Sequence, residues 1–131
     1  MPYRNIPFVT NQVYHVFNRS IASQSIFIDR RDYERILDLV NYYRFKRPPL
    51  RFSHYNRLPK EQKADYEKSF MINQNPMLDI LAYCIMPNHV HFLLRPKIDN
   101  SISDFMRNLQ NGYSKYFNTK RERTGSLFQF M

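Results

Sequence analysis

The chain has 131 residues and carries 20 Lys and Arg against 11 Asp and Glu, a formal net charge of +9. This length fits one domain, and a hydrophobic share of 43% is enough for a packed core. Two glycines are too few for a glycine-rich phosphate loop or a dinucleotide fingerprint, and one cysteine excludes an internal disulfide framework. No apolar run reaches the roughly 18 residues of a membrane span, so we expect a cytoplasmic protein without a membrane partner. The positive charge indicates a polyanionic partner, nucleic acid being the first candidate.

The N-terminal part predicts one strand and one helix. Residues 8–18 space valine, tyrosine and phenylalanine as a strand does, with His15 on one of its faces. Asp29 is placed as a helix N-cap, and apolar residues then recur at helical spacing. We therefore predict a helix over about 30–46, which Pro48 and the proline after it end.

Residues 47–76 read as an insertion between two core elements, with a short polar helix. The stretch 42–60 has no acidic residue and interleaves basic with aromatic side chains, a pattern suited to single-stranded nucleic acid. The alternative is a solvated loop whose aromatics fold back on the core. The candidate DNA contacts here are Arg44, Lys46, Arg47, Arg51 and Arg57. A second basic cluster, alternatively ordinary charge at a helix C-terminus, comprises Lys115, Lys120, Arg121 and Arg123.

The C-terminal part predicts two strands, a long helix and an apolar end. Residues 77–86 and 89–95 flank a Pro-Asn dipeptide and indicate an antiparallel hairpin. Ser101 opens a helix to about Lys120, with an aspartate three residues later in an approximate capping box. The apolar segment 126–131 could begin another strand. This order predicts an α+β fold, an antiparallel sheet with helices packed on one face.

His89-Val90-His91 is the most informative motif. On a strand, residues i and i+2 point the same way, so both imidazoles project from one face and could share a divalent cation. The alternative is two histidines on a polar sheet face with no ligand. Cys84 could add a zinc ligand, although a lone cysteine in an apolar strand is more often a small buried hydrophobe.

Phosphodiester cleavage also needs a nucleophile, and Tyr113 is the candidate because it follows the histidines on a helix. Tyr113 lies on the apolar stripe of that helix, however, where a tyrosine is more often part of the core. A metal enzyme acting on small substrates is a weaker hypothesis, since no pair of acid/base carboxylates lies near the histidines.

The sequence AYCIMPNHVHFLL (82–94) closely resembles the signature of the single-tyrosine HUH transposases, in the branch associated with repetitive extragenic palindromes. HUH denotes His-hydrophobe-His, which His89, Val90 and His91 match. Four further stretches resemble the same family in the expected order, so that the resemblance covers nearly the whole chain. They are YHVFNRS (14–20), DRRDYERILDLVNYYR (29–44), FMRNLQNGYSKYFNTK (105–120) and RTGSLFQ (123–129).

The resemblance implies an RRM-like or ferredoxin-like domain over 1–131, usually a homodimer, with Mg²⁺ or Mn²⁺ on His89 and His91. It implies metal-dependent cleavage and rejoining of single-stranded, hairpin-bearing DNA in DNA transposition, through a 5′-phosphotyrosine. Because that covalent bond conserves the phosphodiester energy, no nucleotide cofactor is needed. The alternative function is a non-catalytic module or regulator that binds single-stranded or hairpin nucleic acid.

The chain departs from the family pattern in one respect. In this branch the nucleophile lies on a later helix that reads Tyr-x-x-x-Asn-Pro, and no such motif occurs at or after the histidines. Either the chain is C-terminally truncated, which we expect, or Tyr113 substitutes for the missing tyrosine.

Overall fold

A three-stranded antiparallel sheet lies at the centre of the computed structural model, which describes residues 8–46, 48–72 and 74–129. The predicted DNA contact Arg47 and the last two residues of segment 126–131 lie outside these ranges. The strands are β1 (Tyr14–Arg19), β2 (Leu78–Met86) and β3 (His89–Pro96). The helices are α1 (Arg30–Tyr43), α2 (Phe52–Asn56), α3 (Lys60–Tyr66) and α4 (Ser101–Lys120), with a 3₁₀ turn at Ile21–Ser23 and a π-helical turn at Glu67–Met71.

Strand β3 is central, in the order β1-β3-β2, and the hairpin between β2 and β3 was predicted. At the free edge of β1 the C-terminal segment makes a single bridge, from Ser20 to Phe128, with a backbone bond from Ile21 N–H to the Leu127 carbonyl at 2.9 Å. The expected further strand is thus only an isolated bridge in the described part of the chain. The order β-α-β-β-α confirms the predicted α+β, ferredoxin-like arrangement.

Helices α1 and α4 pack on one face of this sheet. Alternation along β3 directs Val90, Phe92 and Leu94 toward the helices, and each of these side chains is buried. Gly112 permits the close approach of the two helices, because a Cβ atom there would lie 3.2 Å from Leu39 Cδ2. No helix in the described part of the chain has both the length and the apolar character that crossing a bilayer requires.

The ends of α1 and α4 agree only in part with the predicted capping residues. Asp29 caps α1 as predicted, in a reciprocal capping box with Asp32. Helix α1 ends at Tyr43 rather than near residue 46, because the following backbone pairs with the chain before β2. The prediction of a capping box at Ser101 is wrong. Asn100 is the N-cap of α4, with a φ of 66°, and Ser101 lies inside the helix with its hydroxyl buried.

The insertion between α1 and β2 folds its aromatic side chains back on α1. Phe52 is buried, and its backbone N–H donates to the Tyr43 hydroxyl at 3.1 Å. The Tyr42 hydroxyl donates to the Leu50 carbonyl and lies 2.8 Å from the Tyr66 hydroxyl. The aromatic side chains of the insertion were predicted either to bind single-stranded nucleic acid or to fold back on the core. The structure shows the second arrangement, since these rings and hydroxyls contact other residues of the fold.

Candidate functional site

The face of the sheet opposite the helices carries exposed side chains from all three strands. His15 and Phe17 project from β1, His91 and Leu93 from β3, and Cys84 lies in register with His91 on β2. Phe17 is 54% exposed and Leu93 is 39% exposed, a degree of exposure that is unusual for apolar side chains in a sheet. This open face holds the histidine motif, because Val90 alternates inward between the two histidines.

His89 and His91 are neighbours on the open face, with ring centroids 4.8 Å apart and planes at 83°. The Nδ1 of His89 lies 2.6 Å from the side-chain oxygen of Asn88. An amide oxygen only accepts hydrogen bonds, so the His89 Nδ1 carries the proton and donates it. The Nε2 of His89 therefore has its lone pair available for a ligand.

His91 is also held at its Nδ1, which lies 2.8 Å from the Nε2 of His15. Burial lowers the pKa of His91, and the nearby charges of His89, His15 and Arg19 lower it further. The neutral imidazole is the form that binds metal ions, so this environment favours ligation.

The donor set fits a divalent cation that takes part of its coordination from outside the protein. Two imidazoles that share a cation at about 2.1 Å from each nitrogen have centroids roughly 4.5–5.5 Å apart, which matches the observed spacing. Within residues 8–46, 48–72 and 74–129, no group of three or more His, Cys, Asp or Glu side chains is arranged to hold a metal ion. Mg²⁺ commonly takes few protein ligands and fills its other positions with water and substrate phosphate oxygens.

Cys84 is exposed, so the interpretation of it as a small buried hydrophobe is wrong. Its Sγ lies 3.5 Å from the Met86 Sδ. The side chain is therefore on the open face beside the histidines, although it forms no three-ligand group with them.

The structure places Tyr113 where it cannot serve as a nucleophile for this site. Tyr113 is fully buried on the helical side of the sheet, among Phe27, Phe117 and Phe128. Its hydroxyl donates to the backbone carbonyl of Ile26, and burial raises its pKa. The histidines project from the opposite side of the sheet, so the prediction conflicts with both the position and the chemistry of this hydroxyl.

The predicted basic cluster at the end of α4 serves another purpose in the structure. Lys120 and Arg121 both pair with Asp32, which is fully buried, at 3.0 and 2.8 Å. The Tyr116 hydroxyl donates to the same carboxylate at 2.9 Å, and the pKa of Asp32 is held well below its usual range. These two cations neutralise a buried carboxylate, which conflicts with their prediction as DNA contacts.

The remaining predicted DNA contacts divide into two groups. Arg123 donates to the side chain of Asn118 and to the Ser126 carbonyl, and the guanidinium of Arg44 lies over the ring of Phe45 at 5.0 Å. These two side chains are thus occupied within the fold. Arg57 is exposed but donates from Nε to the Ser53 carbonyl at 3.2 Å. The other exposed cations of the predicted set are Lys46, Arg51 and Lys115.

Two residues of the open face were missed by the sequence reasoning. His15 contacts His91, and Arg19 is exposed beside the motif because it pairs in register with His89. Strand alternation placed His15 on one face of its strand, and the same alternation in YHVFNR puts Arg19 on that face. The register between β1 and β3, which sets their neighbours, is not visible in local sequence.

The structure has an antiparallel sheet with helices on one face and the His-Val-His motif on the other, the arrangement that the resemblance implied. The model of the family described as transposase IS200 like matches residues 54–129, more than half of the chain. The chain therefore belongs to the IS200-like transposase family. Among solved structures it is similar to a proposed transposase from Deinococcus radiodurans R1, at 15% identity and a TM-score of 0.45, covering 91% of this chain and 68% of that one. A comparison with curated proteins finds no match.

Proposed function

We propose that this transposase-family chain binds Mg²⁺ or Mn²⁺ at His89 and His91 and acts on single-stranded or hairpin DNA in DNA transposition. The observation that carries the proposal is the pair of imidazoles 4.8 Å apart on an open sheet face. The Nδ1 of His89 is hydrogen-bonded to Asn88, and the Nδ1 of His91 to His15. The two Nε2 atoms are therefore the nitrogens that would bind the cation.

The proposed reaction is a phosphodiester exchange. In this exchange a tyrosine oxygen would form a bond to phosphorus as the bond to the 3′-oxygen breaks. The tyrosine proton would pass to the leaving 3′-oxygen, and the covalent product would conserve the energy for rejoining. His89 and His91 would hold a divalent cation, which would stabilise the negative charge that develops during the exchange. The chain's own part is to hold that cation on rigid strands and to leave one side of it open to a phosphate.

The identity of the nucleophile separates two candidate functions. Tyr14 pairs with Leu94 and Tyr83 with Phe92, so these strand tyrosines alternate to the side opposite the histidines. With Tyr113 buried, no strand tyrosine or predicted nucleophile in the described part of the chain reaches the open face. The second candidate is a non-catalytic module that binds single-stranded or hairpin DNA, which the exposed cations of the insertion would support without any nucleophile.

The charges around the site support a DNA partner under either candidate. Arg19 is exposed next to His89, and the exposed cations of the insertion add positive charge that is not paired with acids. Neutralising phosphates with such side chains releases counterions, so binding is expected to weaken steeply with salt.

We further propose that the active form is a homodimer, which sedimentation of the free protein tests.

The deciding experiment incubates the protein with hairpin-ended single-stranded DNA and Mn²⁺, then separates the products on a denaturing gel. A transposase gives cleaved DNA or a protein–DNA adduct in the wild type, and neither in the His91→Ala variant. His54→Ala is the matched control, because His54 is exposed on α2, away from the strands. Salt-dependent binding that His91→Ala leaves intact, without cleavage or adduct, establishes the non-catalytic module and refutes the enzyme.

A further inference from the structure

We propose that His15 is a positioning residue for the metal site, accepting a hydrogen bond from the Nδ1–H of His91 and fixing that ring with its Nε2 directed outward. This inference rests on the proposed metal-binding role of His89 and His91. It assigns a function to a residue outside the His-Val-His motif, 76 positions away along the chain.

The geometry of the pair is that of a directed contact rather than of two neighbouring surface histidines. His15 Nε2 and His91 Nδ1 are 2.8 Å apart, and the two rings are nearly coplanar, at 6°. In-plane approach is what a hydrogen bond between an N–H and an imidazole lone pair requires. The register places His15 opposite Leu93, so His15 reaches His91 diagonally across the β1–β3 ladder.

A neutral imidazole pair contains one donor and one acceptor at this contact, so one of two proton arrangements must hold. If His15 accepts, His91 carries its proton on Nδ1 and presents an Nε2 lone pair. If His15 donates, the His91 proton lies on Nε2 and blocks that atom as a ligand. His89 shows which arrangement suits the site, because the Asn88 oxygen already fixes its proton on Nδ1.

Phe17 restricts the same pair from the side. Its ring stacks on His15 at 5.2 Å and on His91 at 5.7 Å, with interplanar angles of 27° and 26°. A ring packed against both imidazoles limits their rotation about χ2. His15 and Phe17 therefore together hold the ring of His91, as residues hydrogen-bonded to or packed on a metal-ligating histidine commonly do.

Two substitutions separate the hydrogen bond from the bulk of the side chain. His15→Phe keeps a planar ring but has no acceptor, whereas His15→Gln offers an amide oxygen at about the reach of the lost Nε2. His15 is exposed, so we expect both variants to fold, which circular dichroism verifies. The first measurement is the ¹⁵N chemical shifts of the His91 ring in the metal-free protein, and the second is Mn²⁺ affinity by electron paramagnetic resonance.

We expect wild-type His91 to be the Nδ1–H tautomer, His15→Phe to lose that preference, and His15→Gln to retain it. Mn²⁺ affinity should fall roughly 10- to 100-fold in His15→Phe and recover in His15→Gln. An Nε2–H tautomer in the wild type, or equal tautomers and affinities in all three proteins, overturns the inference. If the wild type binds no Mn²⁺, the proposed metal function fails, while the tautomer measurement still decides whether His15 orients His91.

Discussion

Replacing Asp32 by asparagine tests the strongest electrostatic feature of the fold. The Asp32 carboxylate is fully buried and accepts from the Ile28 backbone, the Tyr116 hydroxyl, Lys120 and Arg121. Asparagine has nearly the same shape but no charge, so Lys120 and Arg121 lose their buried carboxylate partner and keep only the more exposed Asp29, at 2.7 and 3.6 Å. Removing one member of a buried ion pair costs about 3–5 kcal/mol. The side chains of Lys120 and Arg121 are 29% and 23% exposed, so water compensates for part of the lost interaction. We therefore expect Asp32→Asn to lower the free energy of unfolding by about 3 kcal/mol.

The assay is equilibrium unfolding in guanidinium chloride at several pH values. The folded state lowers the pKa of Asp32, so its stabilisation is complete above the ordinary aspartate pKa of about 3.9 and is lost as the pH falls. The stability difference between wild type and Asp32→Asn should therefore be full at pH 7 and shrink steadily below about pH 5. Glu34→Gln on the same helix is the control, since its exposed pair with Arg30 should contribute no more than about 0.5 kcal/mol. A difference that stays within about 0.5 kcal/mol at pH 7, or that grows toward low pH, refutes the reasoning.

Three further predictions follow from the site and the insertion. Tyr113→Phe should cost about 1 kcal/mol of unfolding free energy, through the lost bond to Ile26, and leave Mn²⁺ affinity unchanged, as denaturation and paramagnetic resonance can show. Tyr42→Phe should free the Leu50 carbonyl and accelerate proteolytic cleavage within the insertion, while an unchanged digestion pattern would contradict this. Arg51→Ala should lower the salt slope of single-stranded DNA binding by roughly 0.7, and an identical slope would remove Arg51 from the interface.

Local sequence patterns predicted the helices, the strands and the strand face of the histidines. They did not predict which distant residues contact each other in the fold. The N-cap at Asp29 and the shared face of His89 and His91 depend only on neighbours in sequence, through capping chemistry and strand alternation. The partners of Asp32 lie 88 and 89 residues away, and the partner of His91 lies 76 away. Such contacts depend on helix packing and strand register, which a charge run or a strand pattern does not encode by itself.

The difference between local patterns and long-range contacts also explains why the structure conflicts with the predictions for Lys120, Arg121 and Tyr113. Charge at the end of α4 predicted a DNA contact, but the fold brings a buried carboxylate against Lys120 and Arg121. The apolar stripe around Tyr113 already favoured a core position, and the packing of α4 on the sheet realises it. Composition thus predicts a polyanionic partner, while the structure shows which of the basic side chains are engaged within the fold.

Mn²⁺ titration of the metal-free protein, followed by electron paramagnetic resonance, tests directly whether His89 and His91 bind a metal ion. The double variant His89→Ala/His91→Ala is compared with the wild type and with His54→Ala. We expect one bound ion per chain in the wild type and in His54→Ala, with nitrogen hyperfine coupling, and loss of that ion in the double variant. Equal Mn²⁺ binding by all three proteins would contradict a metal site at the two histidines.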